Sequence, residues 1–345
     1  MRRFTELEEI VGIGPAAAKK LRENGVPCAE VLAFIPVDRL NHNTRIGEGT
    51  ACKIITAARE HLGLGRTMNG LDREQQWQHA RRLTTGVGAL DDSLLGGIDA
   101  GSLVDLYGPA RGGKSQMCHQ LVTTAQLPEE RGGLDSGTVW LDSEGSFRPL
   151  TLRANAVRFG LDPETVLSQV SVQTIISRQH LLESVWRLPD QVYKNSVFLI
   201  VIDSLGKFFR TDSEYLLEQR ANTMDLAEIL LVLQGLITTM GCIVVVTNQV
   251  YNKVENYGGN PNAPVGGHIM AHAATYRFYL RRMKEDQRRI RLEDHVGLPE
   301  SEADLRLGWG GFFGTEQERK VVSHAIVDYL GTLGHSVGIT EGRVW

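Results

Sequence analysis

The feature that most constrains the fold is a glycine-rich octapeptide between a short apolar stretch and a run of helix-forming residues. It follows the apolar stretch Ser102–Tyr107 and consists of Gly108, Pro109, Ala110, Arg111, Gly112, Gly113, Lys114 and Ser115. Glycines in such a loop let successive backbone N–H groups point into one concavity, and the N-terminus of the following helix adds partial positive charge. The spacing therefore predicts a strand, a phosphate-binding loop and a helix, in that order.

We expect this loop to bind the phosphates of ATP together with Mg²⁺. The Lys114 ammonium reaches the outer phosphates and acts there in catalysis, and the Ser115 hydroxyl is a magnesium ligand. The nucleotide-binding segment runs from Gly108 to Gln116. Arg111 is bulky and charged where such loops usually carry small residues, so it either contacts phosphate or faces solvent.

Short apolar runs alternate with helical patterns from Thr84 onward. Strands are predicted at Thr138–Asp142, Val197–Ile202 and Ile243–Thr247. Near-continuous apolar strands separated by helices indicate a mostly parallel sheet that is covered on both faces. The predicted fold class is α/β, a P-loop ATPase core with a mostly parallel sheet, preceded by a small all-α domain.

Polar side chains follow three of these strands. Asp203 closes the second strand and is assigned to the magnesium site. It either hydrogen-bonds a direct ligand of the ion or binds the ion through a water molecule. Glu144, two residues beyond the first strand, is the expected catalytic carboxylate that polarises the attacking water, with Asp142 as its rival. Gln249, just after the third strand, is expected to bond the γ-phosphate and to report nucleotide state to the segment that follows.

That following segment, residues 251–264, is long, glycine-rich and poor in core residues, which is typical of a functional or disordered loop. Tyr251, Lys253 and Tyr257 supply rings and charge suited to single-stranded nucleic acid. A surface loop without a ligand is the alternative. Arg277–Arg291 is the most basic patch, and its pattern favours either phosphate contact or a solvated hairpin edge protected by charges.

The N-terminal unit has paired glycines before two helical patterns. Gly12 and Gly14 precede one pattern, and Gly47 and Gly49 precede the other. A tight glycine turn at a helix N-terminus exposes N–H groups that can grip a phosphate, although such turns also simply pack small helices together. The predicted units are a helical domain at 1–66 that either binds phosphate or only packs its helices, a linker or oligomerisation segment at 67–84, the ATPase core at 85–308, and an extension with an amphipathic helix at 309–345.

Composition excludes several classes of protein. The formal net charge of −4 gives no overall basic field, so any binding to DNA must rely on local patches. The four cysteines are far apart and lack metal-site spacing. The longest apolar run, Leu226–Val246, is interrupted by Glu228 and Gly241 and then becomes β-branched, which is typical of a helix, a glycine stop and a buried strand. A membrane partner is therefore not expected.

Taken in order, further motifs resemble the archaeal RadA and eukaryotic RecA-type recombinase family. Besides the phosphate loop they are Leu83–Gly86, Gln126–Glu130, Leu141–Pro149, Ile202–Ser204, Thr247–Val250 and Gly266–His272. The resemblance spans residues 1 to about 308. It implies a RecA-type ATPase core that assembles as a helical filament on single-stranded DNA, with ATP between neighbouring subunits, and an N-terminal helix-hairpin-helix domain.

The same resemblance implies roles for individual residues. Lys114 and Ser115 are phosphate and magnesium ligands, Glu144 is the catalytic carboxylate, Asp203 lies on the metal side, and Gln249 is the γ-phosphate sensor. Residues 251–264 match the family's second DNA-binding loop in length. The expected DNA contacts are Gly12, Gly14, Tyr251, Lys253, Tyr257, Gly266 and Gly267.

Four stretches depart from the family pattern. The family's first DNA-binding loop, which here follows Phe209–Arg210, has no basic residue in this chain. The Phe-x-x-Ala hook that binds the next subunit is missing at Thr67–Gly70. Leu150–Thr151 stands where the family has a Glu-Arg pair, and Asp294–Val296 stands where it has an Asp-x-Pro cap on ATP. Trp77 and Ala80 have the separation of the hook, but so short a match arises readily by chance.

Two functions follow from these patterns. The first is a DNA-dependent ATPase of recombinational repair, a strand-exchange recombinase whose partners are single- and double-stranded DNA and further copies of itself in a filament or ring. The second is an accessory paralogue that acts as a mediator for a related recombinase, which the departures favour. A ring-forming RecA-type motor fits the phosphate loop alone. The expected location is intracellular, in the cytoplasm of an archaeon or the nucleus of a eukaryote.

Overall fold

The computed structural model describes residues 4–209, 216–252, 262–264, 267–334, 339–340 and 343–344. The helices are α1 Pro15–Glu23, α2 Ala29–Phe34, α3 Val37–Thr44, α4 Glu48–His61, α5 Gly70–Gln78, α6 Gly88–Ser93, α7 Lys114–Thr124, α8 Pro149–Phe159, α9 Pro163–Ser168, α10 Arg178–Asn195, α11 Leu216–Gly235, α12 Gly267–Ala273 and α13 Glu316–Thr332. The strands are β1 Arg82–Leu83, β2 Ile98–Asp99, β3 Leu103–Gly108, β4 Thr138–Asp142, β5 Val170–Thr174, β6 Leu199–Asp203, β7 Ile243–Asn252, β8 Asn262–Pro264, β9 Tyr276–Arg282, β10 Gln287–Asp294, β11 Ser301–Gly308, β12 Gly311–Phe313, β13 Ile339–Thr340 and β14 Arg343–Val344.

One large sheet crosses the core in the order β12-β11-β10-β9-β3-β7-β6-β4-β5, with β8 paired to β7. The strands from β9 to β5 in this order pair in parallel, whereas β10, β11 and β12 form an antiparallel flank. Strands β3, β4 and β6 are buried along their whole length, and β10 alternates between the two faces. The predicted α/β class with a mostly parallel sheet is confirmed. The carboxyl ends of β3, β4, β6 and β7 lie at one edge, where ligands of such sheets bind.

The run Leu226–Val246 contains the elements that the sequence predicts. Helix α11 passes into a π-helical turn at Leu236–Met240, Gly241 adopts a left-handed conformation (φ 70°), and β7 begins at Ile243. Arg220–Met240 is long and apolar enough to cross a membrane, and half of it is buried inside the protein. Length and composition alone do not separate a membrane span from the core helix of a water-soluble domain.

The N-terminal domain consists of α1 to α4 and one 3₁₀ turn, packed around apolar side chains. Those that are buried include Leu7, Leu21, Leu32, Leu40 and Ile54. The contacts by which the domain docks on the core include three that involve Phe4, Phe34 and Arg39. The ring of Phe4 packs on Tyr193 and Phe198 at centroid distances of 5.7 and 6.2 Å, and the ring of Phe34 covers Gly235 at the end of α11.

The third docking contact is formed by Arg39. Its guanidinium lies 3.4 Å from the ring centroid of Trp186 and 3.1 Å from the carboxylate of Glu228. Trp186 Nε1 donates to the same carboxylate at 2.6 Å. A stacked, ion-paired arginine of this kind links the two domains with defined geometry.

The segment expected to be a linker, residues 67–84, contains a helix and a strand. Helix α5 begins where the Asn69 side chain caps the N–H of Asp72 at 2.9 Å, and it buries no side chain. Strand β1 then pairs with β2. The sequence lacked an apolar stripe here, so only the cap indicated the helix.

The sheet continues to Phe313, beyond the core boundary expected at 308, because β12 pairs with β11. Helix α13 follows, starting with a capping box between Thr315 and Glu318. Its buried residues Ile326 and Leu330 pack against Ala154 of α8. The apolar face of this helix therefore docks on its own domain.

Candidate nucleotide site and its connection to the DNA-binding segments

The phosphate loop lies between β3 and α7, at the edge where the parallel strands end. Gly108 (φ 147°) and Gly112 approach β9 so closely that a Cβ at either position would collide with the carbonyl oxygen of Leu280. Gly113 (φ 112°) is the N-cap of α7. Only glycine permits this approach and these dihedral angles together. The loop therefore has the strand, turn and helix N-terminus that a phosphate site requires.

Lys114 is buried at the first position of α7. Its Nζ donates to the carbonyl oxygens of Gly108 at 2.9 Å and Pro109 at 3.0 Å. Burial lowers the pKa of this ammonium, and the carboxylates of Asp203 and Glu144 act in the opposite direction. The Lys114 ammonium is thus bonded to neutral carbonyl groups of its own loop, and two carboxylates are near enough to affect its pKa.

The remaining loop side chains differ in exposure. Ala110 and Arg111 are exposed, and Arg111 has a positive φ of 63°. Ser115 and Gln116 are half-buried on the first turn of α7. Of the two alternatives for Arg111, facing solvent is the one seen in this conformation.

Asp203 ends β6 and is buried. Its carboxylate accepts from the hydroxyls of Ser146 and Thr247, both at 2.5 Å. Hydroxyl and carboxylate oxygens, the groups that Ser115 and Asp203 carry, are ligand types that Mg²⁺ prefers, and Mg²⁺ usually keeps water and phosphate ligands besides. In the part of the chain that the structure describes, no cluster of three or more His, Cys, Asp or Glu side chains could hold a metal by itself.

The two candidate carboxylates after β4 have different surroundings. Asp142 accepts from the backbone N–H groups of Glu144, Ser146 and Phe147 at 3.0 to 3.2 Å, so its oxygens hold the turn together. Glu144 is exposed at the edge of the sheet, and its Oε1 accepts from Ser204 Oγ at 2.6 Å. Only the Glu144 carboxylate is placed to meet a water molecule.

Gln249 lies near the end of β7 and contacts that same carboxylate. Its Nε2 donates to Glu144 Oε1 at 3.0 Å. The structure therefore brings together the expected base and the expected γ-phosphate sensor. Strand β7 continues through Tyr251 to Asn252, and its last three residues pair with β8.

His119 was missed by the sequence analysis. It lies one turn after Ser115 on α7, where its Nδ1 is 2.6 Å from the Ser115 carbonyl and its Nε2 accepts from the N–H of Arg148 at 2.9 Å. Burial lowers the pKa of this imidazole. The neutral ring thus joins the phosphate-loop helix to the loop that carries Glu144. Its i+4 spacing from Ser115 was the available signal.

The expected DNA contacts are only partly covered by the structure. Lys253, Tyr257 and Gly266 lie outside the described residues, as does most of the segment 251–264. The backbone of Tyr251 pairs with Ala263, and Gly267 begins α12. In the N-terminal domain Gly12 has a φ of 92° and Gly14 caps α1, the turn and helix start that the sequence predicts.

The basic stretch Arg277–Arg291 lies on β9 and β10, where several of its arginines are ion-paired. Arg277 is 3.5 Å from the buried Asp105, Arg289 is 2.7 Å from Asp304, and Arg291 pairs with Glu300. These pairs support the alternative of a charged sheet surface and reduce the positive charge available for phosphate.

Trp77, which has the hook's spacing from Ala80, and His295, in the stretch that replaces the ATP cap, both make contacts within the chain. Trp77 donates from Nε1 to Asp99 at 3.2 Å, and the guanidinium of Arg82 lies 4.6 Å from its ring centroid. At the cap position the His295 ring packs on Tyr276 at 4.4 Å. The hook-like tryptophan and the cap histidine are therefore both engaged by their own subunit.

A comparison with protein-family models matches residues 76–314 to the Rad51 family, which is more than half of the chain. The chain belongs to the Rad51 family. Membership confirms the recombinase resemblance and agrees with the mostly parallel sheet. Rad51 proteins are recombinase-type proteins of DNA recombination and repair; they generally bind ATP with Mg²⁺ and DNA, and they form oligomeric filaments.

The Rad51 match has informative limits. It includes the phosphate loop, Glu144, Asp203 and Gln249, and it extends through β12. The N-terminal helices α1 to α4 and the C-terminal helix α13 lie outside it. The match thus covers the candidate nucleotide site and leaves the two terminal helical segments outside.

Proposed function

We propose that this Rad51-family protein is a DNA-dependent ATPase that forms a filament on single-stranded DNA and promotes homologous pairing and strand exchange. The observation that carries the proposal is the 3.0 Å hydrogen bond between Gln249 and Glu144. It joins the proposed catalytic carboxylate to the strand that leads into the proposed DNA-binding segment 251–264. A change at the nucleotide can thereby reach DNA.

The proposed mechanism begins when Lys114 and Ser115 bind the phosphates of ATP and its Mg²⁺. The buried Lys114 ammonium exchanges the neutral carbonyls of Gly108 and Pro109 for the outer phosphates of ATP, since an ion-to-ion hydrogen bond is stronger. Ser115 and Asp203 would hold Mg²⁺, the latter through water or behind its direct ligands, and the ion would neutralise negative charge on the phosphates. The backbone N–H groups of Gly113 to Ser115, at the N-terminus of α7, orient the phosphate chain.

Glu144 is the proposed catalytic carboxylate. It orients the attacking water and takes its proton, a contribution of about 10²- to 10⁴-fold in rate. The Ser204 hydroxyl fixes one carboxylate oxygen. Asp142 accepts hydrogen bonds from three backbone N–H groups and so holds the turn that carries Glu144. Its proposed role is to position Glu144.

Gln249 is the proposed link from ATP to DNA. The γ-phosphate is a charged acceptor that competes with Glu144 for the Gln249 amide, and this exchange releases the carboxylate to bind water. The end of β7 moves with Gln249, and the β7–β8 pairing carries the shift to both ends of the segment 253–261. Tyr251, Lys253, Tyr257, Gly266 and Gly267 are the proposed contacts to single-stranded DNA.

The N-terminal domain is the proposed second contact to DNA. The turn Gly12–Gly14 opens α1, and its N–H groups suit a phosphate of single- or double-stranded DNA. Because Phe34 and Arg39 fix the domain on the core, this contact keeps a set distance from the nucleotide edge. The proposed location of the protein is intracellular, with DNA.

Electron microscopy with single-stranded DNA, ATP and Mg²⁺, beside a joint-molecule assay with homologous duplex, tests the proposal. We expect regular filaments and joint molecules that depend on ATP and are absent for Lys114→Ala. Isolated particles that form no joint molecules would contradict it. A heterologous duplex is the control for homology.

The second candidate is an accessory paralogue that assists a related recombinase. It is favoured by the missing Phe-x-x-Ala hook at Thr67–Gly70; Trp77, which has the hook's separation from Ala80, bonds Asp99 of its own subunit. In the same assay it predicts stimulation of another recombinase by protein that forms no filament alone.

A further inference from the structure

The phosphate loop touches a side chain that comes from the far end of the sheet. Phe312, in β12, is fully buried, and a Cβ on Gly113 would lie 2.7 Å from its Cζ. Gly113 is the last loop glycine before Lys114 and has a φ of 112°. The ring thus packs directly against the phosphate loop at Gly113.

Strand β12 is held by a buried polar network. The N–H of Phe312 donates to Gln120 Oε1 at 2.6 Å, and Gln120 Nε2 donates to the Thr85 carbonyl at 2.6 Å. Gly311 (φ 94°) permits this, since a Cβ there would collide with the same Gln120 oxygen. Gln120 lies on α7, so the strand is bonded to the phosphate-loop helix itself.

Arg158 of α8 completes the network. It donates to the carbonyl oxygens of Phe312 at 2.5 Å, Gly310 at 2.9 Å and Gly86 at 2.9 Å, and it stacks on Phe313 at 4.0 Å. Burial lowers its pKa to about 10, so the guanidinium remains charged near neutral pH. Buried carbonyl acceptors in this number fix the backbone of residues 310–312.

Helix α13 covers the network from outside. A Cβ on Gly310 would lie 2.6 Å from Ile326 Cδ1, and Ile326 with Leu330 packs on Ala154 of α8. Arg319 at the start of the helix is 3.0 Å from Asp286. The Rad51 match ends at residue 314, before this helix begins.

We propose that Phe312 is a positioning residue for the nucleotide site, held against Gly113 by Gln120, Arg158 and helix α13. The inference rests on the proposed ATP site. Binding requires the loop in its phosphate-ready conformation, and apparent affinity falls in proportion to the fraction of molecules that have it. Removal of the ring leaves space behind Gly113, so the loop adopts other conformations and this fraction falls.

Binding of a non-hydrolysable ATP analogue with Mg²⁺ to Phe312→Ala tests the inference. We expect the dissociation constant to rise about tenfold, which corresponds to a phosphate-ready fraction of about one tenth. In hydrolysis the KM for ATP rises with it, while kcat at saturating ATP stays within about twofold, because bound ATP restores the loop. Phe312→Leu, which keeps most of the volume, recovers most of the affinity.

Phe198→Ala is the matched control. It removes a ring of equal size that is also buried but packs on Phe4 of the N-terminal domain, outside this network. We expect it to lower the melting temperature and to leave ATP affinity within about twofold. Equal affinities of Phe312→Ala and Phe198→Ala would overturn this inference alone. Wild-type protein that binds no ATP would overturn the proposed function and this inference with it.

Discussion

At the scale of single residues, the site separates groups that hold structure from groups that face the reaction. Asp142 and Glu144 are two residues apart, yet one accepts three backbone N–H groups and the other is exposed. Lys114 is turned onto the carbonyls of its own loop. His119 connects the two halves of the site through both ring nitrogens.

His119 predicts a pH dependence of the free energy of unfolding. Burial holds its pKa below the ordinary value of 6.5; Asp203 and Asp142 oppose the shift, and Arg148 adds to it. Because the folded-state pKa is depressed, the unfolded chain binds the proton first as pH falls. The stability is intact above about pH 6.5 and is lost as pH falls through the lower folded-state value.

Urea unfolding of the wild type and His119→Asn between pH 8 and 5 checks this. At pH 8 the variant should lose about 1–3 kcal/mol, since asparagine leaves the N–H of Arg148 without its acceptor. The difference should shrink below pH 6.5, as only the wild type is penalised there. The other titrating groups cancel in the comparison. A difference that stays constant down to pH 5 would refute the role given to His119.

At the scale of elements, glycines mark where one element packs on another. Gly235, at the end of α11, faces the ring of Phe34 on α2, and Gly113 faces Phe312. Gly331 near the end of α13 has no atom within 4 Å of a Cβ position. A side chain at Gly235 would therefore collide with a neighbouring ring, whereas a side chain at Gly331 would meet no neighbour.

Gly235→Ala should destabilise the protein by about 1–3 kcal/mol, because the new methyl group overlaps the Phe34 ring and displaces the N-terminal domain. In a Phe34→Ala background the same change should cost little or stabilise, since alanine is the better helix former. Gly331→Ala is the control and should not destabilise. Denaturant unfolding, with Trp186 fluorescence as a probe beside the interface, measures all four proteins. Equal costs in both backgrounds would contradict the docking described.

The elements also show which parts of the fold the sequence could predict. The strand ahead of the phosphate loop, β4 and the helix–glycine–strand order around Gly241 were predictable, because local apolar pattern and glycine placement determine them. Helix α5 was not, since it buries nothing. Among the site residues, the network of Phe312, Gln120 and Arg158 was invisible because it joins parts of the chain far apart in sequence.

At the scale of the whole molecule, the N-terminal domain and helix α13 lie outside the Rad51 match and pack on the matched core. The N-terminal domain is fixed on α10 and α11 by Phe34 and Arg39, and helix α13 is fixed on α8. In our proposals the N-terminal domain offers a second site for DNA, and helix α13 supports the phosphate loop. The net charge of −4 means that neither acts through an overall attraction to DNA.

The most direct test of the account is ATP binding and hydrolysis by Glu144→Gln with single-stranded DNA and Mg²⁺. Glutamine keeps the size of the side chain and its bonding to Ser204 and Gln249, but it cannot take a proton. We predict ATP affinity within about threefold of wild type and hydrolysis slower by at least about 10²-fold, whereas Lys114→Ala should lose binding. Hydrolysis by Glu144→Gln at the wild-type rate would contradict the account.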